Sequence, residues 1–435
     1  GQVYQESFAK YAYFTDIEPS NISFGGGDEI FGPVHTNSPL KIYSSGATFH
    51  DETRTAEDVR GEAYATFKKG YEEYVPVIEM PETADLDKLR VQATVGSTYF
   101  NGGNSGSAGQ ANLRLEFVAL DLDGDGDTTG ADEGFFKVYQ SADEDWVSGN
   151  DPVSSGDPRN LEQCGDFDAG FFRSTADHPH NGRSWQQSLT SSDSRCFLGG
   201  SDVLTNGFVA DDGKGEWLEW TGAKHPGLLG RADRDYLFPM DRRYNPNFKG
   251  VIFVDGDVGL SGRLRGRVTV VATDDIVMLD DLVYASDPGL GTCEDILGLF
   301  SGDDVVVADN LLNSPQYGYT WDETKDEFFH GIVLALDIFT VENFNSGSTN
   351  SQRCEGSTWG RGCLYLTGGI IQRTRGAVGT TSGTGYLKRY AYDRCGATAP
   401  PPYFPTTGHF VANELYQVDP TGFTASSYFD LLTSN

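Results

Sequence analysis

The strongest chemical signal in the chain is a run of acids, Asp121-Leu-Asp123-Gly-Asp125-Gly-Asp127-Thr-Thr129-Gly-Ala-Asp132-Glu133. Counted from Asp121, side-chain oxygens recur at alternate positions through Asp125, Gly126 follows, and a carboxylate returns at Asp132. This is the spacing of a calcium loop, in which alternation aims successive carboxylates at one centre and the glycine permits the sharp turn around the ion. Asp127 is expected to offer its backbone carbonyl and Thr129 to bind directly or through water. Asp132 closes the shell, with Glu133 as the alternative. Calcium accepts such an irregular set of hard oxygens more readily than magnesium does. The flanking segments are strand-like, so a fixed structural ion is expected rather than a helix-opening switch. The competing reading is a solvated acidic turn.

Weaker constellations surround this one. Asp177-His178-Pro-His180 brings two imidazoles close together without a clear third ligand. His35 and His50 are expected to satisfy local hydrogen bonds. Carboxylates pair at Asp255/Asp257, Asp274/Asp275, Asp280/Asp281 and Asp303/Asp304, and Arg263, Arg265 and Arg267 alternate nearby. Paired acids beside arginines could act on an acidic sugar. Their placement between apolar runs favours plain turns. No serine stands in a nucleophile elbow, and no glycine loop leads from a strand into a helix to cradle phosphate.

The elements that must hold these groups are short, β-rich and bounded by Gly, Asp, Asn or Ser. Val251-Ile-Phe-Val, Val268-Thr-Val-Val and Leu299-Phe each run into a turn ending in Asp257, Asp275 or Asp304, and a second strand then starts at Val258, Ile276 or Val305. Units that cannot bury their own face stack on neighbours. Further rungs are expected at 331–339, at 362–371 and, early in the chain, at 32–43. The fold expected is therefore all-β: a parallel β-helix (solenoid) core, a small inserted antiparallel β subdomain, long loops and a short N-terminal helix. That helix is placed over 1–12, where Tyr4, Phe8, Tyr11 and Ala12 share a stripe. Leu89-Arg-Val-Gln-Ala-Thr-Val, Leu113–Leu120 and Phe135–Tyr139 alternate like strands. The division expected is 1–87 for the helix and first rungs, 88–140 for the antiparallel insert with the acidic loop, 141–248 for a loop-rich insertion anchored by Trp146, Trp185, Trp217 and Trp220, and 249–435 for the main solenoid and tail.

Composition narrows the setting. The 435 residues carry 64 Asp and Glu against 32 Lys and Arg, a formal charge of −32. Nucleic acid and anionic membrane surfaces are disfavoured as partners, since both need clustered cations. Aromatic residues make up 12%, too many for a disordered acidic chain. No apolar run approaches the ~18 residues that span a bilayer. The six cysteines, Cys164, Cys196, Cys293, Cys354, Cys363 and Cys395, include no CxxC pair and fit three disulfides in an exported protein. Cys354–Cys363 and Cys164–Cys196, with their short separations, are the expected pairs. An exterior rich in calcium or salt would screen the acidity. Gly1-Gln-Val-Tyr reads as a processed or trimmed end.

Five strings in order, Tyr11-Ala-Tyr-Phe-Thr-Asp, Gly32-Pro-Val-His-Thr-Asn, Gly256-Asp-Val-Gly-Leu-Ser-Gly, Asp295-Ile-Leu-Gly-Leu and Pro400-Pro-Pro-Tyr-Phe-Pro, resemble exported bacterial proteins related to type IV pilin-like (PilX-type) proteins. The resemblance covers about residues 5–75 and 245–410. It implies a prepilin helix, of which only a trailing end would fall in 2–13, followed by a β-helical extracellular region. It implies a non-enzymatic role at the cell surface or in a pilus-like filament, with self-association or other surface proteins as partners, and it supplies no catalytic residues. Arg373 with Arg375, or Lys388-Arg389, are candidate basic patches at joints between copies. The rivals are a calcium-dependent polysaccharide lyase or hydrolase of β-helix type, and a carbohydrate-binding adhesin.

Overall fold

The computed structural model describes residues 3–103, 111, 113–141, 210, 215–307, 327–342, 344–345, 363–380 and 382–412. Among the described residues strands dominate and there are two α-helices, so the protein is all-β.

The apolar runs form a column of parallel strands. From one end to the other its members are Tyr99–Gly103, Val251–Gly256, Arg267–Ala272, Ile296–Ser301, Glu327–Val341, Cys363–Thr374, Tyr13–Ile17, Val34–Thr36, Thr53–Thr55 and Tyr71–Glu72. The stacking order is not the chain order. The N-terminal strand Tyr13–Ile17 lies against Cys363–Thr374, so the early strands continue a stack that the later half of the chain begins. A second parallel column joins Leu113–Ala119, Val258–Leu264, Ile276–Tyr284 and Val305–Val307. A third runs from Cys363–Thr374 through Leu387–Tyr392, Asp28–Phe31 and Ala47–Phe49 to Ala65–Phe67. The large sheet is mixed and does not close, because Gly134–Ser141 runs antiparallel to Leu113–Ala119, Gly215–Trp217 and Phe238–Pro239.

Continuous apolar runs suit strands covered on both faces. Ile252, Val254, Val270, Leu299, Val333 and Ile370 point into the main core. Their neighbours Val251, Phe253, Val271, Phe300, Leu334 and Ile371 enter a second core under the helix Ala84–Gly96 and the turn at Phe8–Lys10. Burying each such side chain contributes about 1.5–3 kcal/mol.

Three expectations are corrected here. Leu89–Val95 is not a strand but part of the helix Ala84–Gly96. Leu86, Leu89 and Ala93 make its buried stripe, while Val91 and Val95 face outward. The N-terminal helix is replaced by the strand Val3–Ser7, paired antiparallel with Thr406–Ala412, and a single 3-10 turn at Phe8–Lys10. Pairing with the distant C-terminal strand overrides the local period. Arg375 is also no surface patch. It is buried in an ion pair with Glu18, and Lys388 is paired with Asp28.

Cys293 and Cys395 form a disulfide, and Cys363 is disulfide-bonded as well. Cys164, Cys196 and Cys354, Trp146 and Trp185, and the motif at His178 and His180 lie outside the described residues.

Candidate metal centre

The acidic loop is the tip of a β-hairpin. Leu113–Ala119 and Gly134–Ser141 pair antiparallel, with Ala119 opposite Gly134, so the chain leaves and returns at one point. Glu133 is the hub. It is 2% exposed, its Oε1 accepts the Leu122 N–H at 2.7 Å and its Oε2 accepts the Gly130 N–H at 2.7 Å. A Cβ at Gly130 would sit 2.7 Å from the Glu133 carboxyl carbon and would oblige that side chain to move.

The aspartates wind the turn through their own backbone. Asp121 accepts the N–H groups of Gly124 at 2.7 Å and Gly126 at 3.0 Å. Gly126 stands at φ +94°, the left-handed region the tight turn requires. Asp123 and Asp125 each accept the N–H two residues on. Asp127 accepts both the N–H and the hydroxyl of Thr129 at 2.8 Å, and these bonds hold its carboxyl below the usual range.

Ligand oxygens of Asp121, Asp123 and Glu133 lie within 4.8 Å of one another. Asp125 and Asp127 stand exposed along the turn, and Thr129 is engaged with Asp127. Asp132 faces away, bonded to His225 at 3.1 Å and Arg243 at 3.0 Å. The carboxylate that closes on Asp121 and Asp123 is therefore the neighbour, Glu133. Three carboxylates with no imidazole or thiolate form a hard-oxygen set, which fits calcium chemistry. Each carboxylate oxygen keeps a lone pair beyond its backbone bond.

A second acidic array grows from the turns singled out by their spacing. The Asp275 N–H donates to Asp257 Oδ1 at 2.9 Å, the Asp304 N–H to Asp275 Oδ1 at 3.0 Å, and the Ile338 N–H to Asp304 Oδ1 at 3.0 Å. The following residues stack in register, Val258 on Ile276 and Ile276 on Val305. These aspartates are thus rungs of a hydrogen-bond ladder. Asp255 instead accepts from Arg90, Tyr99 and Thr273. At the ladder's end Asp303, Asp304 and Asp337 come within 4.8 Å. Burial pushes Asp275 up to about 7 and Asp304 up to about 6, and neighbouring carboxylates add to both shifts. Buried Asp393 is likewise pushed up to about 7.

A carboxyl whose folded pKa exceeds its unfolded value binds its proton more tightly in the native state. Its stabilisation is complete at low pH and disappears as pH rises through the folded value. Asp275→Asn keeps the acceptor for Asp304 and abolishes the buried charge. We expect the variant to match the wild type near about pH 4 and to exceed it by about 1–3 kcal/mol near about pH 8, read by urea unfolding in chelator. A variant less stable at the higher pH would show that the ladder requires the carboxylate itself.

His35 hydrogen-bonds Asn37 and stacks on Phe14, while His50 stacks on Phe31, so both act locally. No family model, curated protein or solved structure matches the chain.

Sequence reasoning passed over the wiring behind the loop. The Arg265 Nε donates to the Gly130 carbonyl at 3.0 Å, and its Nη1 reaches Glu294 and Asp295, each at 3.1 Å. Alternation of Arg263, Arg265 and Arg267 was the visible signal. It did not reveal which arginine turns inward.

Proposed function

We propose that the protein is an exported structural component of the cell surface or of an extracellular, pilus-like filament, braced by calcium and disulfides. Its columns act as rungs of a β-solenoid, as the resemblance to PilX-type proteins implies. The observation that carries this reading is the end of the stack. Tyr71–Glu72 and Ala65–Phe67 each have one strand partner among the described residues, and exposed Tyr64, Tyr71, Tyr74 and Val77 flank them. Open strand edges with apolar residues favour pairing with another copy. Contact between unlike ends gives open filaments unless the rotation closes.

Two copies carrying −32 each repel, so cations must accompany assembly. Sedimentation and electron microscopy across calcium and salt concentrations test this. Assembly promoted by calcium and weakened in Tyr74→Glu is the expected result. Protein that stays monomeric in every condition removes the filament reading.

Calcium would be held by Asp121, Asp123 and Glu133, where it neutralises charge at the hairpin tip. Saturating calcium is expected to add about 2.7 kcal/mol when present at about a hundred times its Kd. Glu133→Gln should lose most of that gain, measured as the shift of the melting midpoint between calcium and chelator. An equal shift in both proteins would place the ion elsewhere.

A further inference from the structure

One hollow reverses the charge of the whole molecule. It holds about 660 Å³, and its charged lining is Arg242, Lys249, Arg265 and Arg267 against the single acid Glu294. The chain overall has two acids for every cation. Volumes of about 300–1,000 Å³ are those of small-ligand sites.

The cations differ in how far they are already satisfied. Arg265 is spoken for by Glu294, Asp295 and the Gly130 carbonyl. Arg267 is held by carbonyls alone, those of Cys293 at 3.3 Å, Ala399 at 3.0 Å and Pro400 at 2.9 Å. Its charge has no carboxylate partner among the described residues, and the partial desolvation of its otherwise exposed side chain lowers its pKa. Exposed Arg242 and half-buried Lys249 form no ion pair among the described residues either. The hollow thus retains positive charge without internal neutralisation. Its other surfaces are flat and apolar: Phe248 at 4% exposure, Pro402, and Tyr403 on the rim at 54%. Tyr403 is fixed in the left-handed region at φ +56°.

Cations for carboxylates beside an aromatic face for a sugar ring suit one ligand class. We propose that this hollow binds an acidic polysaccharide, its anionic groups on Arg242, Lys249 and Arg267 and a sugar ring against Tyr403. The site goes beyond the structural role above and does not need filaments. The general negative field does not forbid it, because salt screens distant charges beyond about 8 Å at physiological ionic strength, while the lining cations act at contact. Ala131 of the acidic loop also lines the hollow, and the Gly130 carbonyl orients Arg265. Loop and hollow therefore share a wall.

The experiment is calorimetric titration of the full chain with tetragalacturonate, with a chondroitin sulfate tetrasaccharide and with neutral maltotetraose. Binding of either acidic probe with none of maltotetraose is the expected result, and a preference for the sulfated probe would show that sulfate adds to carboxylate recognition. Arg242→Ala with Lys249→Ala should weaken that binding by about tenfold or more, since each removes a charge-assisted contact. Tyr403→Ala supplies an independent reading of the ring face and should weaken both acidic probes. Absence of binding to either acidic probe overturns the proposal. So does binding that is unchanged in both variants.

Discussion

Arg375→Met is expected to destabilise the protein by about 3–5 kcal/mol, because it strands a buried carboxylate. The Arg375 Nη1 donates to Glu18 Oε2 at 3.0 Å, with the two side chains 3% and 0% exposed. The other oxygen of Glu18 accepts the Tyr13 hydroxyl at 2.8 Å and the Thr15 hydroxyl at 2.7 Å. The guanidinium lies 3.9 Å over the Phe24 ring. The place matters as much as the contacts. Arg375 follows the strand Cys363–Thr374 and Glu18 follows Tyr13–Ile17, and these strands meet where the stack passes from the late rungs to the early ones. Gly369 serves the same seam, for a Cβ there would sit 2.2 Å from the Tyr11 carbonyl oxygen.

Chemical denaturation of Arg375→Met, Glu18→Gln and the double variant separates the terms. The double variant should recover part of the loss, since the orphaned charge is gone. A single-variant loss below about 1 kcal/mol would mean that Glu18 is solvated or protonated at little cost. The seam would then be held by strand pairing and packing alone.

What could be read beforehand follows from how local each signal is. The ladder was legible because Asp257, Asp275 and Asp304 each close a turn between two apolar strands, and a repeated local unit stacks on itself. The hairpin that carries the acidic loop was legible for the same reason, apart from which acid joins Asp121 and Asp123. Asp132 and Glu133 are adjacent acids, and only the pull of His225 and Arg243 on Asp132 decides between them. The helix at Ala84–Gly96 was misread because Leu89, Val91, Ala93 and Val95 satisfy a period of two, while Leu86, Leu89 and Ala93 satisfy the helical one. Which set is buried depends on the neighbouring strand Val251–Gly256, which is remote in sequence. The stacking order of the strands was invisible for a stronger reason. Every parallel strand offers the same backbone, so the meeting of Tyr13–Ile17 with Cys363–Thr374 is encoded in a few seam residues such as Glu18 and Arg375. The basic hollow was hidden likewise, since its walls come from residues 131, 240, 242, 248–250, 265–267, 294 and 402–403.

Removing the Cys293–Cys395 disulfide is the second large effect expected. The bridge spans 102 residues of sequence. Loop closure of that length contributes about 4–5 kcal/mol by restricting the unfolded chain. Cys395 lies within the second core at 2% exposure, and its N–H donates to Asp393 at 2.9 Å. Cys293→Ala with Cys395→Ala should therefore lower the free energy of unfolding by about 4 kcal/mol, less whatever constraint the bridge at Cys363 already places on the unfolded chain. The same variant probes the hollow. Cys395 precedes Ala399 and Pro400, whose carbonyls hold Arg267, and the Cys293 carbonyl holds that guanidinium from the other side. Both anchors of Arg267 are thus joined by one covalent bond. Loosening them should weaken binding of acidic tetrasaccharides at temperatures where the variant is still folded. Reduced stability with unchanged affinity would show that backbone packing alone, without the bridge, positions Arg267.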